Sequence, residues 1–336
     1  MNRKSLRIGL MLSCVIALGS GKAEAGHHPP ERPNATLLAP ALAGGGLGSA
    51  IGPGGALYVT EPGAGQIWRV DPQTGARTLF ASGLPKTIPT VGIGGAMDVA
   101  FIGKTAYALV TLVDSLVGGS DVDGIYRVDG PHSFTVVADI GDFNKNNPPT
   151  TAFMVPTGVQ YALQTYRGGF LVTDGHLNRV LRVTRDGEIT VLIAFDDIVP
   201  TGLAVLGNTV YMAEAGPVPH LPQDGKVVAF GPKSPTAREV ASGAPLLVDV
   251  EFGRGLRLYA LSQGPGVPSA PPGSPAQPDK GALVEVNGDG AFTVIIDGLD
   301  RPTSLEFIGN TAYVVTLTGE IWKIDRVSGP PYGGSH

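Results

Sequence analysis

Cysteine is almost missing: the 336-residue chain carries one, Cys14, inside its first 25 residues. A lone cysteine cannot close an internal disulfide or supply the paired thiolates of a zinc site. Charge is sparse as well, with 16% charged residues, a net charge of −5 and no basic stripe. That excludes nucleic acid as a partner, because phosphate binding needs clustered Lys and Arg. No Gly-x-Ser-x-Gly elbow, glycine-rich phosphate loop ending in Lys-Ser/Thr, or His-Glu-x-x-His occurs, so the familiar signatures of serine hydrolases, nucleotide enzymes and zinc proteases are absent.

What is present is glycine and proline, 49 and 29 residues, spread between apolar runs in a chain that is 43% hydrophobic. That is turn punctuation in a globular all-β chain. The N-terminus reads differently. Arg3, Lys4 and Arg7 precede an apolar run from Gly9 to Gly19, followed by Ala23-Glu24-Ala25. This is the order of a secretory signal, with cleavage expected after Ala25. The run falls short of the ~20 residues a membrane span needs. The apolar stretch continues past Cys14 through Val15-Ile16-Ala17-Leu18, which argues against a lipid anchor there. Cleavage removes the only cysteine and leaves an acidic chain in the periplasm or outside the cell.

One unit recurs along the rest. In the first copy it is Ser49-Ala50-Ile51, a turn through Gly52–Gly55, Leu57–Thr60, Gln66–Asp71, a turn at Thr74-Gly75, and Thr78-Leu79-Phe80. The third copy runs Thr157-Gly158-Val159, Arg167-Gly168-Gly169, Phe170–Asp174, Arg179–Val183, Asp186-Gly187 and Ile189–Leu192. Taking Ser49, Asp98, Gly158, Gly202, Asp249 and Ser304 as equivalent starts gives units roughly 44 to 60 residues apart, near the length of a four-stranded propeller blade. The expectation is a six-bladed β-propeller over 36–328, preceded by an extension at 26–35 and followed by a tail at 329–336. The sixth copy lacks a fourth strand, and Thr36–Ala39 is left over to supply it and close the ring. A monomer is expected.

In such a blade the a–b and c–d turns share one face and the b–c and d–a connections the other. The first set is short throughout. The second carries the insertions Leu112–Gly124, Gly216–Gly225, Gln263–Gly281, Pro85–Gly95 and Asn144–Phe153, and loops on a rigid scaffold are where binding and catalysis concentrate. The functional face is placed there, for a small molecule or a protein partner.

Strand starts line the central channel, which makes Asp98, Thr157, Thr201, Asp249 and Ser304 candidates. Strand b ends flank its mouth and add Glu61, Asp174 and Glu214, with His176 beside Asp174 and His220 in an insertion. Asp98 and Asp249 could share a hard cation such as Ca²⁺, which takes 6–8 oxygen ligands, or could simply accept backbone N–H groups of neighbouring blades. The histidines could act as acid or base or be surface residues. Asp114, Asp121 and Asp123 resemble a calcium loop loosely, without the twelve-residue spacing and terminal Glu. Trp68 and Trp322 hold equivalent positions and read as repeat residues of the core.

Val155–Val159, Gly168–Asp174 with Asn178–Val183, and Val199–Leu203 resemble the ScyD/ScyE family of NHL-like exported propellers, named from gene clusters for the sunscreen scytonemin. That resemblance implies a secreted propeller without fixing a reaction. More distantly the chain is similar to the SMP-30, gluconolactonase and strictosidine-synthase propellers, whose metal enzymes use a Glu, an Asn within Pro-Asn-Gly and an Asp around the channel. The Pro-x-Gly frames here are Pro156-Thr157-Gly158 and Pro200-Thr201-Gly202, with Thr in place of Asn, and Asp249 falls about one place from the family's Asp. The alternative that this resemblance implies is a calcium-dependent lactonase.

Overall fold

The computed structural model describes residues 33–328 except 151–154, 219, 222, 233 and 272. The expected signal at 1–25, most of the extension at 26–35 and the tail at 329–336 lie outside the described residues. Among the described residues the strands form six separate four-stranded antiparallel sheets. Five use strands consecutive in sequence, and these are blades 1 to 5. In blade 6, Asn34–Ala39 pairs antiparallel with Ile321–Asp325, so the first strand of the chain completes the last sheet, as the left-over segment predicted. The strand starts at Asn34, two residues earlier than the sequence pattern suggested.

The strands alternate small, β-branched and aromatic residues, and the second strand of each blade is buried on both faces along nearly its whole length. Each pair of adjacent blades encloses its own apolar cluster, and each fully buried Leu, Ile or Val side chain there contributes roughly 1.5–3 kcal/mol. The aromatic repeat joins blade to blade. Tyr58 on the second strand of blade 1 meets Phe101 of blade 2 at 4.6 Å between centroids, Tyr211 of blade 4 meets Phe252 of blade 5 at 5.1 Å, and Tyr259 of blade 5 meets Phe307 of blade 6 at 5.0 Å. At the ring closure the Thr303 hydroxyl donates to the Leu47 carbonyl at 2.9 Å. Trp68 and Trp322 are half-buried and pack at the edges of these clusters.

Strand pairing also fixes which residues are equivalent. Tyr58, Tyr107, Leu171, Tyr211, Tyr259 and Tyr313 face Ala50, Ala100, Gln164, Ala204, Glu251 and Glu306 of the inner strands. Two residues upstream the channel row reads Gly48, Asp98, Ala162, Gly202, Asp249 and Ser304. Two members therefore differ from the sequence alignment, which used Ser49 and Gly158. The physical reason in blade 3 is that its inner strand opens at Gln160, beyond the Pro156-Thr157-Gly158 frame, whereas in blade 4 the strand opens on Pro200 itself. Pro200 pairs with Glu214 as Gln160 pairs with Asp174, so the two Pro-Thr-Gly frames occupy different places in their blades.

Candidate functional site

The channel row is tied together by three side chains aimed at the next blade. Asp98 accepts from the Leu163 N–H at 2.7 Å, Asp249 from Leu305 N–H at 2.8 Å, and Ser304 from Ser49 N–H at 3.0 Å. The second oxygens of Asp98 and Asp249 accept from Val99 N–H at 2.8 Å and Val250 N–H at 2.9 Å. Each aspartate sits beside a glycine because nothing larger fits: a Cβ on Gly48 would stand 2.5 Å from Asp98 Cα, and one on Gly202 would stand 2.4 Å from Asp249 Cα. Gly-Asp-small thus occurs twice around the ring, in blades 1 to 3 and 4 to 6.

Above this row, on the side of the insertions, lies a cavity of about 160 Å³. Its floor includes Asp98, Asp249 and Ser304; its walls are apolar, with Met97, Val199, Val248 and Leu246 prominent. The insertions bring Ile93, His220, Gln263 and Ser274 to its rim. His176 follows the second strand of blade 3 in a single tight turn, Gly175–Leu177, and its Nε2 lies 3.3 Å from the Tyr161 hydroxyl. His220 has a left-handed backbone, φ 61°, and its Nδ1 is 2.8 Å from the Gly216 carbonyl. Burial lowers the pKa of both imidazoles, and for His176 the nearby His220 lowers it further while Asp197 opposes. Both rings are therefore neutral at neutral pH, each with acceptor or donor capacity facing an apolar space. Burial raises the Tyr161 hydroxyl to about 12, so it stays a donor.

Below the row the channel widens again, to about 220 Å³ lined by Gln164, Ser49, Glu251 and Glu306. No Lys or Arg lines either part of the channel among the described residues. Burial pushes Asp98 well above the usual carboxylate range, with Asp249's charge adding to the effect, and pushes Asp249 up to about 7. Glu251 and Glu306 are raised too, burial again first, and Glu306 feels the charges of Glu251, Asp249 and Asp98.

Apart from Thr201, the other sequence candidates lie away from the cavity. Glu61 accepts from Gly44 N–H and from the Trp68 indole, both at 2.6 Å, and so fastens the loop after the closing strand. Asp174 is fully buried and paired with Arg179 at 3.0 Å; Gln160 donates to it at 2.9 Å, and Arg179 also reaches Asn144 and the Asn147 carbonyl. Burial raises Asp174 to about 6 against the guanidinium's pull, which leaves the pair ionised at neutral pH. Glu214 is buried and raised to about 7 by burial, with Lys226 opposing. Thr157 lies in the approach to blade 3, its carbonyl accepting from Asn144 at 2.8 Å. Thr201 lines the cavity, but its hydroxyl donates to the carbonyls of Ala213 and Leu247 at 3.0 and 2.9 Å. Of the sequence candidates the fold thus gathers Asp98, His176, Thr201, His220, Asp249 and Ser304 around one space. Glu251 and Glu306 went unnoticed, although side chains on a strand alternate: if Asp249 and Ser304 face the channel, the residues two further on must as well.

The calcium expectation can be tested on these contacts. Both oxygens of Asp98 and of Asp249 are turned to backbone N–H groups, and Thr201 is spent as a donor. Among the described residues no three His, Cys, Asp or Glu side chains are arranged to hold a metal. The channel residues do not fit a calcium enzyme's ligand set.

No protein-family model matches the chain, and no curated protein matches it in sequence. Solved structures do match. A gluconolactonase from Xanthomonas campestris superposes with TM-score 0.60 at 13% identity, covering 89% of this chain and 90% of its own. The PQQ-bound aldose sugar dehydrogenase from Streptomyces coelicolor gives 0.60 at 15%, over 89% and 99%. A catalytically inactive histidine-to-alanine variant of virginiamycin B lyase from Staphylococcus aureus, with quinupristin, gives 0.55 at 13%, over 88% and 99%. At such identities the likeness is one of fold: this chain is a six-bladed β-propeller, as its six four-stranded sheets show.

Proposed function

We propose that this protein is an exported, ScyD/ScyE-like binding propeller that takes a small, uncharged, largely apolar molecule into the cavity above Asp98 and Asp249. The observation that carries this reading is the cavity's construction. Several separate insertions on one face converge on it, its walls are apolar, and a few polar groups (His176, Tyr161, His220, Gln263) stand at its rim, which is how small-molecule sites are built. Neutral imidazoles, a phenol and an amide suit a ligand with hydroxyl or carbonyl groups on an apolar body. The acids of the floor hold protons or are satisfied by backbone, so they do not demand a cation.

The test uses hydroxylated aromatic compounds and lactones as probes, read by thermal shift on the purified chain and on Val248→Trp, which fills the cavity. Binding to the first and not to the second is expected; equal binding to both would place the ligand elsewhere. Export is checked separately by mass spectrometry of the secreted chain, expected to begin at Gly26.

A second reading, hydrolysis of an ester or lactone in the same cavity, is favoured by one observation: His176 and His220 are both held neutral at its rim, as a general base must be. Neighbours of the fold include a gluconolactonase and a lyase whose histidine variant is inactive. Turnover that survives chelators and disappears in His176→Ala or His220→Ala would favour this reading over binding alone.

A further inference from the structure

Away from the channel, the insertion 112–124 meets the approach to blade 3 over the short helix Ile140–Asn146. Three side-chain oxygens are gathered there without a hydrogen-bond partner: Asp114 Oδ2, Asp123 Oδ2 and Thr157 Oγ1. Their residues are 7%, 1% and 0% exposed. The one helix holds all three residues. Gly141 N–H donates to the Asp123 carbonyl at 2.9 Å, the Asn144 amide donates to the Thr157 carbonyl at 2.8 Å, and Lys145 Nζ stands 3.8 Å from Asp114 Oδ2. Each carboxylate spends one oxygen on the backbone, Asp123 Oδ1 accepting from Val113 N–H at 2.8 Å and Asp114 Oδ1 from Leu116 N–H at 3.0 Å. The other oxygen of each is left over.

Buried oxygens of this kind are costly unless something positive meets them. The Lys145 ammonium is too distant for a hydrogen bond to Asp114, and it does not reach the other two. The Thr157 hydroxyl stands beside the Asp123 carboxyl and the charge of Asp114 bears on it, so the three oxygens face one space. Two carboxylates and a hydroxyl are an oxygen-only donor set, which selects hard cations, and their unequal reach suits the flexible shell of Ca²⁺ better than the strict octahedron of Mg²⁺.

We propose that Asp114, Asp123 and Thr157 hold a structural Ca²⁺ that pins the 112–124 insertion to the blade 3 approach. The cation takes Asp114 Oδ2, Asp123 Oδ2 and Thr157 Oγ1, with backbone carbonyls or water completing its shell, and displaces Lys145 as the counter-charge of Asp114. The site is separate from the central channel and from the ligand cavity, so it stands whatever the cavity binds.

The purified chain, stripped with chelator, is titrated with CaCl₂ and read by calorimetry and thermal unfolding. A rise of about 5 °C in Tm is expected at ~100-fold excess over Kd. Asp123→Asn and Thr157→Val should each weaken Ca²⁺ at least tenfold, with unliganded Asp123→Asn at least as stable as the parent because an unmatched charge is gone. Lys145→Met should tighten binding, since the competing ammonium is removed. An unshifted parent chain, an equal response in both ligand variants, or equal stabilisation by MgCl₂ would overturn the assignment. Should the ligand variants fail to fold, unchanged or weakened binding in Lys145→Met would overturn it alone.

Discussion

The two halves of the central channel face the same axis yet are made by different parts of the repeat. The half beyond Asp98 and Asp249 is strand throughout: Gln164, Glu251 and Glu306 come from regular inner strands, and its polarity follows from alternation alone. The half on the insertion side is apolar and is roofed by loops from several blades. Strands can vary only the side chains they point inward, whereas loops can vary length and direction too. A propeller therefore gains a shaped cavity at one mouth and keeps a plain, acidic bore at the other.

That contrast breaks first at the row dividing the halves. Gly202→Val forces a side chain against the Asp249 backbone, 2.4 Å away at Cβ, and should cost about 3 kcal/mol or more in chemical denaturation, since backbone cannot yield as a side chain can. Asp249→Ala should cost about 2–4 kcal/mol by the same measurement, because Val250 and Leu305 N–H groups lose their acceptor inside the wall.

The acidic half can be sharpened by pH. Asp249 in the folded chain titrates near 7 against an ordinary value of 3.8, so the folded state binds that proton more tightly than the unfolded state. Stability should fall as pH rises from about 4 to about 7, and this group should add no further slope above that. In Asp249→Asn the fall should shrink, by on the order of 1–2 kcal/mol after allowing for water in the channel. Glu306→Gln, which removes a charge that Glu251, Asp249 and Asp98 oppose, should raise Tm more at pH 8 than at pH 5; an equal gain at both would mean that the acids do not interact. The smallest structural effect belongs to the loop half: His220→Ala should leave stability within about 0.5 kcal/mol while weakening any cavity ligand about tenfold, as loss of one buried hydrogen bond does.

Much of this architecture was legible without coordinates. The repeated β-branched runs, Gly turns and the surplus strand near Thr36 have few other solutions, because six sheets each bury two faces only by stacking in a ring. The side of the insertions followed from counting strands, and Asp98 and Asp249 were found as channel residues. Less legible were equivalences across irregular turns. Pro156-Thr157-Gly158 and Pro200-Thr201-Gly202 match letter by letter, yet the inner strand of blade 3 opens at Gln160 and that of blade 4 on Pro200 itself, which leaves Thr157 in a buried turn and puts Thr201 in the cavity wall.

The number of blades, the closure of the ring and the face that carries the loops are written in the chain, since these depend on local periodicity and strand order. The part each polar side chain plays came from the packing of blade on blade. Asp98 and Asp249 became acceptors for backbone N–H groups, Glu61 and Asp174 became internal ties, and His176 met His220 across a cavity. Hydrogen-bond partners are set by which blades come within three ångströms of one another, and no spacing along the chain encodes that distance.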